Sequence, residues 1–227
     1  MQFFCLLDLQ KSSNRKVLEM SLPDLLGEVR ACRVCEASLP LGPRPVLRLA
    51  STAKLLIVSQ APGRKVHQSG VPWDDPSGAR LREWMMLESL EFYDEARVAI
   101  LPIGLCYPGA SERGGDRPPR PECVGLWHER LCAYLPDLQL TLLVGQHAQR
   151  HYLRSRQKAS MTETVKASSE YGPRFFPLPH PSWRSALWMR NNPWFEEKTL
   201  PKLRTAVRNC MAPVAEEKCA EGLPRPR

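Results

Sequence analysis

The sequence predicts an α/β fold, a three-layer sandwich on a central four-stranded parallel sheet. Four short, nearly all-apolar runs occur at Lys54 to Ser59, Arg97 to Ile103, Gln139 to Val144 and Arg174 to Leu178, and strands buried on both faces read this way. Helical patterns at Ser77 to Leu90, Glu122 to Leu135 and Gln146 to Leu153 alternate with them, as crossover connections require. No Ser/Gly linker or long charge run divides the 227 residues, so one domain is expected over 21–211, between an extension at 1–20 and a flexible tail at 212–227.

The elements follow in order. Ser21-Leu-Pro-Asp24 is a helix start, with Ser as cap and Pro in the first turn. Leu22, Leu25, Leu26 and Val29 then recur at helical spacing and lead into Cys32-Arg-Val-Cys35. Leu39 to Val46, with three prolines, is extended. Trp84, Met85, Leu87 and Leu90 make a core stripe on the second helix, which Asp74-Asp75 caps ahead of Pro76. From Asn192 a cap and Pro193 open a last helix that Pro201 must interrupt or kink.

The formal charge is +8, of which +7 lies between the two terminal segments. Pro173 to Met211 alone holds seven basic and two acidic residues. A basic face gains by releasing counterions from phosphates, so a polyanion is the natural partner. No apolar run reaches the length of a membrane span, and the apolar start is cut short by Asp8 without a basic lead. A cytoplasmic monomer is expected, and its eight cysteines read as metal ligands or buried thiols.

Two strand ends stand out. Lys54-Leu-Leu-Ile-Val-Ser-Gln-Ala-Pro-Gly63 breaks from an apolar run into a Pro-Gly turn, and Phe175-Phe-Pro-Leu-Pro-His-Pro-Ser182 does so far downstream. Carboxyl ends of parallel strands are where ligands bind in such sheets. The first turn has neither P-loop nor dinucleotide glycine spacing, and each motif alone reads as an ordinary turn.

Taken together, with Gly70-Val-Pro-Trp73 and a Pro-rich middle in the same order, the motifs resemble those of the uracil-DNA glycosylase superfamily over roughly residues 24 to 210. The similarity is nearest to the iron-sulfur branch called family 4. It implies a DNA repair enzyme that flips a damaged base, uracil first, and hydrolyses its N-glycosidic bond. His180 would hydrogen-bond the departing base, Trp73 would stack on it, and Ala61, Pro62 and Gly63 would form a backbone cradle beside Gln60. Ser182, Trp183, Arg184, Leu187 and Arg190 would engage DNA, with Trp183 or Leu187 filling the vacated stack and the arginines on phosphates. The plainer reading makes Trp183, Leu187 and Trp188 core residues.

Two departures from the family pattern bear on activity. The acid that activates water in or after the first motif is missing, since Gln60, Ala61, Arg64 and Lys65 stand there. His67, Asp74 or Asp75 could substitute, His67 titrating nearest neutrality, or Gln60 could position the water. Pro102 stands where related enzymes carry an Asn that reads the uracil edge. The resemblance also assigns Cys32, Cys35, Cys106 and Cys123 as ligands of a [4Fe-4S] cluster, with zinc as the alternative for four thiolates. The rivals are a non-catalytic nucleic-acid-binding protein of the same fold and a small-molecule hydrolase. His147 and His151, one helical turn apart, read as an exposed basic face.

Overall fold

The structure, a computed structural model, describes residues 20–112 and 114–212. The expected extension and tail, with Cys5 and Cys219, lie outside or at the edge of that range. Among the described residues no helix is long and apolar enough to cross a membrane.

Four parallel strands form one sheet: β1 Leu55–Val58, β2 Val98–Ile100, β3 Leu140–Val144 and β4 Phe175–Leu178. Their order is β2-β1-β3-β4, so β3 separates the two motif-bearing strands. All four runs expected to be strands contain one, and alternation along them builds two cores. Leu56, Val58 and Leu143 face one layer, made by α1 (Leu22–Arg30), α5 (Glu129–Cys132) and α6 (Gln146–Leu153). Leu55, Ile57 and Leu142 face the other, made by α3 (Pro76–Met85), α7 (Met161–Lys166) and α9 (Leu200–Met211). The remaining helices are α2 (Arg64–Ser69), α4 (Ser89–Phe92) and α8 (Ser185–Arg190).

Local chemistry sets the boundaries. The Ser21 hydroxyl accepts from the Asp24 N–H at 3.3 Å and caps α1, and the Asp75 carboxylate accepts from the Gly78 N–H at 2.8 Å and caps α3. The helix expected through Leu90 instead stops at Met86, which turns left-handed at φ 55°; α4 then starts afresh with a capping box at Glu88, and Leu90 is exposed. Pro201 is accommodated by placement: a π turn at Phe195–Thr199 gives way to α9, whose first turn takes the proline, where its missing N–H is harmless.

A second π turn, Val124–His128, interrupts the segment expected to be one helix over Glu122 to Leu135. It carries His128 inward, where Nε2 donates to the Pro102 carbonyl at 2.7 Å. Nδ1 then faces the Tyr152 hydroxyl at 3.4 Å. Burial pushes the His128 pKa from 6.5 down to about 4. The other four histidines, His67, His147, His151 and His180, are also lowered, chiefly by burial. His147 and His151 are accordingly half-buried, and His151 packs edge-on against His128, which corrects the expectation of an exposed basic face.

The consequence for stability has a definite sign. A histidine whose pKa is lower folded than unfolded stabilises fully above pH 6.5, and that contribution is lost as pH falls, because the unfolded chain takes up the proton first. For His128 the difference is worth roughly 3 kcal/mol. Melting temperature is therefore expected to be flat above pH 7 and to fall between about pH 6.5 and 4, with the fall shallower in His128→Gln. Thermal melts across that range would check it, and parallel curves for the two proteins would contradict it.

Candidate active site

The first motif is held by its backbone. Beyond β1 the Ser59 and Gln60 carbonyls accept from the Ile103 and Gly104 N–H groups at 2.9 and 2.7 Å, which ties the turn to the chain leaving β2. Gly63 then opens α2, its carbonyl accepting from the His67 N–H at 2.8 Å. At the end of β4, the Ser182 N–H donates back to the His180 carbonyl at 2.8 Å. The Arg80 guanidinium, reaching from α3, donates to the Ser182 carbonyl at 2.6 Å, the Pro181 carbonyl at 3.3 Å and Ser185 Oγ at 3.2 Å. Arg80 thus holds the second turn in place.

The two turns meet in one pocket of about 400 Å³. Ser59, Gln60, Ala61, Pro62 and Gly63 line it from β1, and His180, Ser182, Trp183 and Arg184 from β4. Pro72, Trp73, Asp75 and Ser77 close a third side, Pro102 closes the floor beside Ile100, and Gly114, Gly115 and Asp116 reach in from the Pro-rich loop.

His180 rests against Trp73, the rings stacked with centroids 5.6 Å apart at 28°. The indole expected to stack on a flipped base thus backs the histidine, and is only 7% exposed. Trp73 holds φ 60°, a left-handed conformation unusual for a bulky residue. Gly78 makes this possible: a Cβ there would lie 1.8 Å from the Trp73 carbonyl oxygen. On its other side His180 meets Gly145, at the end of β3 with φ 87°, where an added Cβ would stand 3.4 Å from His180 Cβ. Burial lowers the His180 pKa and the Asp75 carboxylate partly opposes this, so the imidazole is neutral at pH 7 and offers one N–H donor.

The three substitutes for the missing acid are sorted by position. Asp75 lines the pocket, whereas His67 and Asp74 are absent from its wall. The His67 ring is buried 6.2 Å from the Tyr107 ring, so the structure does not bring it onto the pocket wall beside His180. A further carboxyl, Asp116, lines the pocket. The residue is exposed, but partial desolvation and then the Asp75 charge raise its pKa, while a hydrogen bond from the Tyr107 hydroxyl opposes the rise. At Pro102 no side-chain donor or acceptor is available, and the carbonyl is taken by His128.

The rim carries the expected wedge residues. Trp183 is 77% and Leu187 56% exposed, so neither is core. Trp188 is the core member of the three, donating through Nε1 to Thr162 Oγ1 at 2.9 Å and packing edge-on against Phe195. Arg184 lies over the Trp183 ring at 5.1 Å and beside Gly114 and Gly115, and Arg190 is exposed on α8. The basic C-terminal segment is nonetheless divided, because Lys202 donates to Ser169 Oγ and Arg204 to the Trp84 carbonyl, on the flank of the protein.

The four candidate ligand cysteines share one neighbourhood. Burial pushes the Cys106 thiol up to about 11, and Cys123, Cys32 and Cys35 add to the rise through their charge. The Cys123 thiol is likewise raised by burial, then by Cys35 and Cys32. Among the described residues no group of three or more potential ligands stands in metal-holding geometry. Four thiols, of which the buried Cys106 and Cys123 feel the charges of Cys32 and Cys35, fit a thiolate-ligated group in donor chemistry. Cys132 and Cys210 stand apart, beside Tyr152 and the Lys54 carbonyl respectively.

Sequence reasoning passed over four residues that build this site: Arg80, Gly78, Gly145 and Asp116. Gly145 had a readable signal, a glycine directly after a predicted strand at its carboxyl end. The profile of the Uracil DNA glycosylase superfamily matches residues 48–204. The chain belongs to that superfamily, which groups it with the glycosylases of DNA repair.

Proposed function

We propose that the protein removes a damaged base, uracil first among the candidates, from DNA by hydrolysing its N-glycosidic bond. What supports this reading is the single pocket in which the Gln60 turn and His180 meet, rimmed by an exposed indole and an arginine. As the C1′–N bond breaks, its electron pair goes to the base and the sugar becomes cationic. The neutral His180 N–H donates to the base oxygen that gains charge. Gln60 and the cradle through Gly63 orient the base and water, while Trp183 or Leu187 fills the stack the base leaves. Arg184 and Arg190 contact phosphates.

The cysteines Cys32, Cys35, Cys106 and Cys123 are proposed to hold a [4Fe-4S] cluster as in family 4, with zinc as the alternative. If bound, such a group would cross-link the ends of the Pro-rich loop, at Cys106 and Cys123, to Cys32 and Cys35 in the segment after α1. Protein purified without oxygen is expected to be brown with broad visible absorbance, and colourless protein carrying stoichiometric zinc would replace iron by zinc.

Duplex oligonucleotides carrying uracil, hypoxanthine or xanthine, incubated with the protein and treated with alkali, are expected to break at the altered base. If none breaks, the enzyme reading fails. The side-chain-poor wall at Pro102 favours a second reading, a non-catalytic DNA-binding protein; it predicts binding that weakens steeply with salt and no base release.

A further inference from the structure

The pocket holds a second carboxyl that the sequence motifs do not announce. Asp116 enters from the Pro-rich loop, paired with Ala110 across a short antiparallel bridge. Gly114 and Gly115, at φ 82° and 81°, make the turn that brings it inward. A Cβ built at Gly63 would lie 3.5 Å from Asp116 Oδ2 and 4.0 Å from Asp75 Oδ2. Two carboxylate oxygens from separate elements therefore converge just beyond the first motif, in the cavity that His180 also lines.

The two acids are not equivalent. Asp75 is committed through Oδ1 to the Gly78 N–H, which fixes its rotamer. Asp116 is exposed to solvent at the pocket, yet it receives the Tyr107 hydroxyl, is partly desolvated and feels the Asp75 charge. Arg64 and Arg117 act on Tyr107, Arg184 stands beside Gly114 and Gly115, and His180 is sensed by Asp75. A base is most useful when its proton affinity approaches the working pH, and the surroundings of Asp116 push it in that direction.

We infer that Asp116 is a catalytic residue, the general base for the attacking water, with Asp75 as the group that positions and tunes it. This rests on the glycosylase reading above. The water oxygen bonds to C1′ as the C1′–N pair departs with the base. One water proton passes to the Asp116 carboxylate, and the departing base is held by His180 until it takes up a proton.

The test is single-turnover base release by the full-length protein across pH 4.5 to 8, on whichever altered base the oligonucleotide panel identifies. Asp116→Asn is expected to lower the rate at pH 7 by roughly 100-fold and to abolish the acidic limb of the profile, with binding to the same DNA retained. Asp75→Asn keeps an oxygen for the Gly78 cap and removes the like charge, so the midpoint of the limb moves down in pH. Tyr107→Phe removes the donor that favours the carboxylate, so the midpoint moves up and the measurement survives even if Asp116→Asn does not fold. Opposite shifts support the inference, because a merely structural role would not separate them. Should Asp116→Asn keep its rate and acidic limb, or Asp75→Asn alone abolish the limb, the inference is overturned while the glycosylase reading stands. A wild-type protein that releases no base sinks both.

Discussion

Replacing His180 with alanine is expected to slow single-turnover base release by roughly 10²- to 10³-fold, the cost of removing one well-placed donor to a developing anion, and to leave DNA affinity within a few-fold. The residue is fixed from three directions. Trp73 backs its ring, Gly145 leaves room beside its Cβ, and Arg80 secures the turn that follows. A donor held this way needs no reorganisation as charge builds on the leaving base. Because burial keeps the imidazole neutral at pH 7, its loss removes a hydrogen bond and not a cation that DNA would sense. A rate within a factor of a few of wild type, measured by strand breakage after alkali, would remove His180 from the mechanism.

The second large effect is structural. Gly78→Ala would place a methyl 1.8 Å from the Trp73 carbonyl oxygen and 2.7 Å from its carbonyl carbon. Both atoms are backbone, so no rotamer change relieves the clash. Either the first turn of α3 moves or Trp73 leaves its left-handed conformation, and each abandons the support behind His180. A loss on the order of 3–5 kcal/mol is expected, or roughly 10 °C in melting temperature for a chain of this size, together with loss of base release. Gly27→Ala is the control: it lies within α1 with nothing within 4 Å of an added Cβ, and the exchange should be neutral or stabilising by up to about 1 kcal/mol. Equal melting temperatures for the two variants would contradict the account of Gly78.

Much of this architecture could be read from the chain because each strand is a short, apolar run buried on both faces, and that signal needs no partner to be recognised. Gln60 and His180 were equally legible, since each ends such a run. What could not be read depends on contacts between distant segments. The break at Met86 follows from one left-handed residue with no glycine to mark it. The π turn ahead of α5 brings His128 to the Pro102 carbonyl, a partner that sequence spacing does not announce. His67 directly follows Val66, which lines the pocket, yet its own ring packs beside Tyr107 and is absent from the pocket wall. Asp116 lies in a Pro-rich loop without periodicity, where nothing local says which way a carboxyl points.

The strand order gives Gly145 a significance that reaches past sterics. His180 and the Gln60 turn belong to β4 and β1, and β3 lies between them, so one motif must reach the other across the end of a neighbouring strand. That end carries no side chain. It is a vacant crossing point, and the chemistry of the two outer strands depends on its staying vacant. Gly145 is thus a position where a residue larger than glycine would act as a barrier between the halves of the site, leaving each motif intact in sequence while denying them a common substrate.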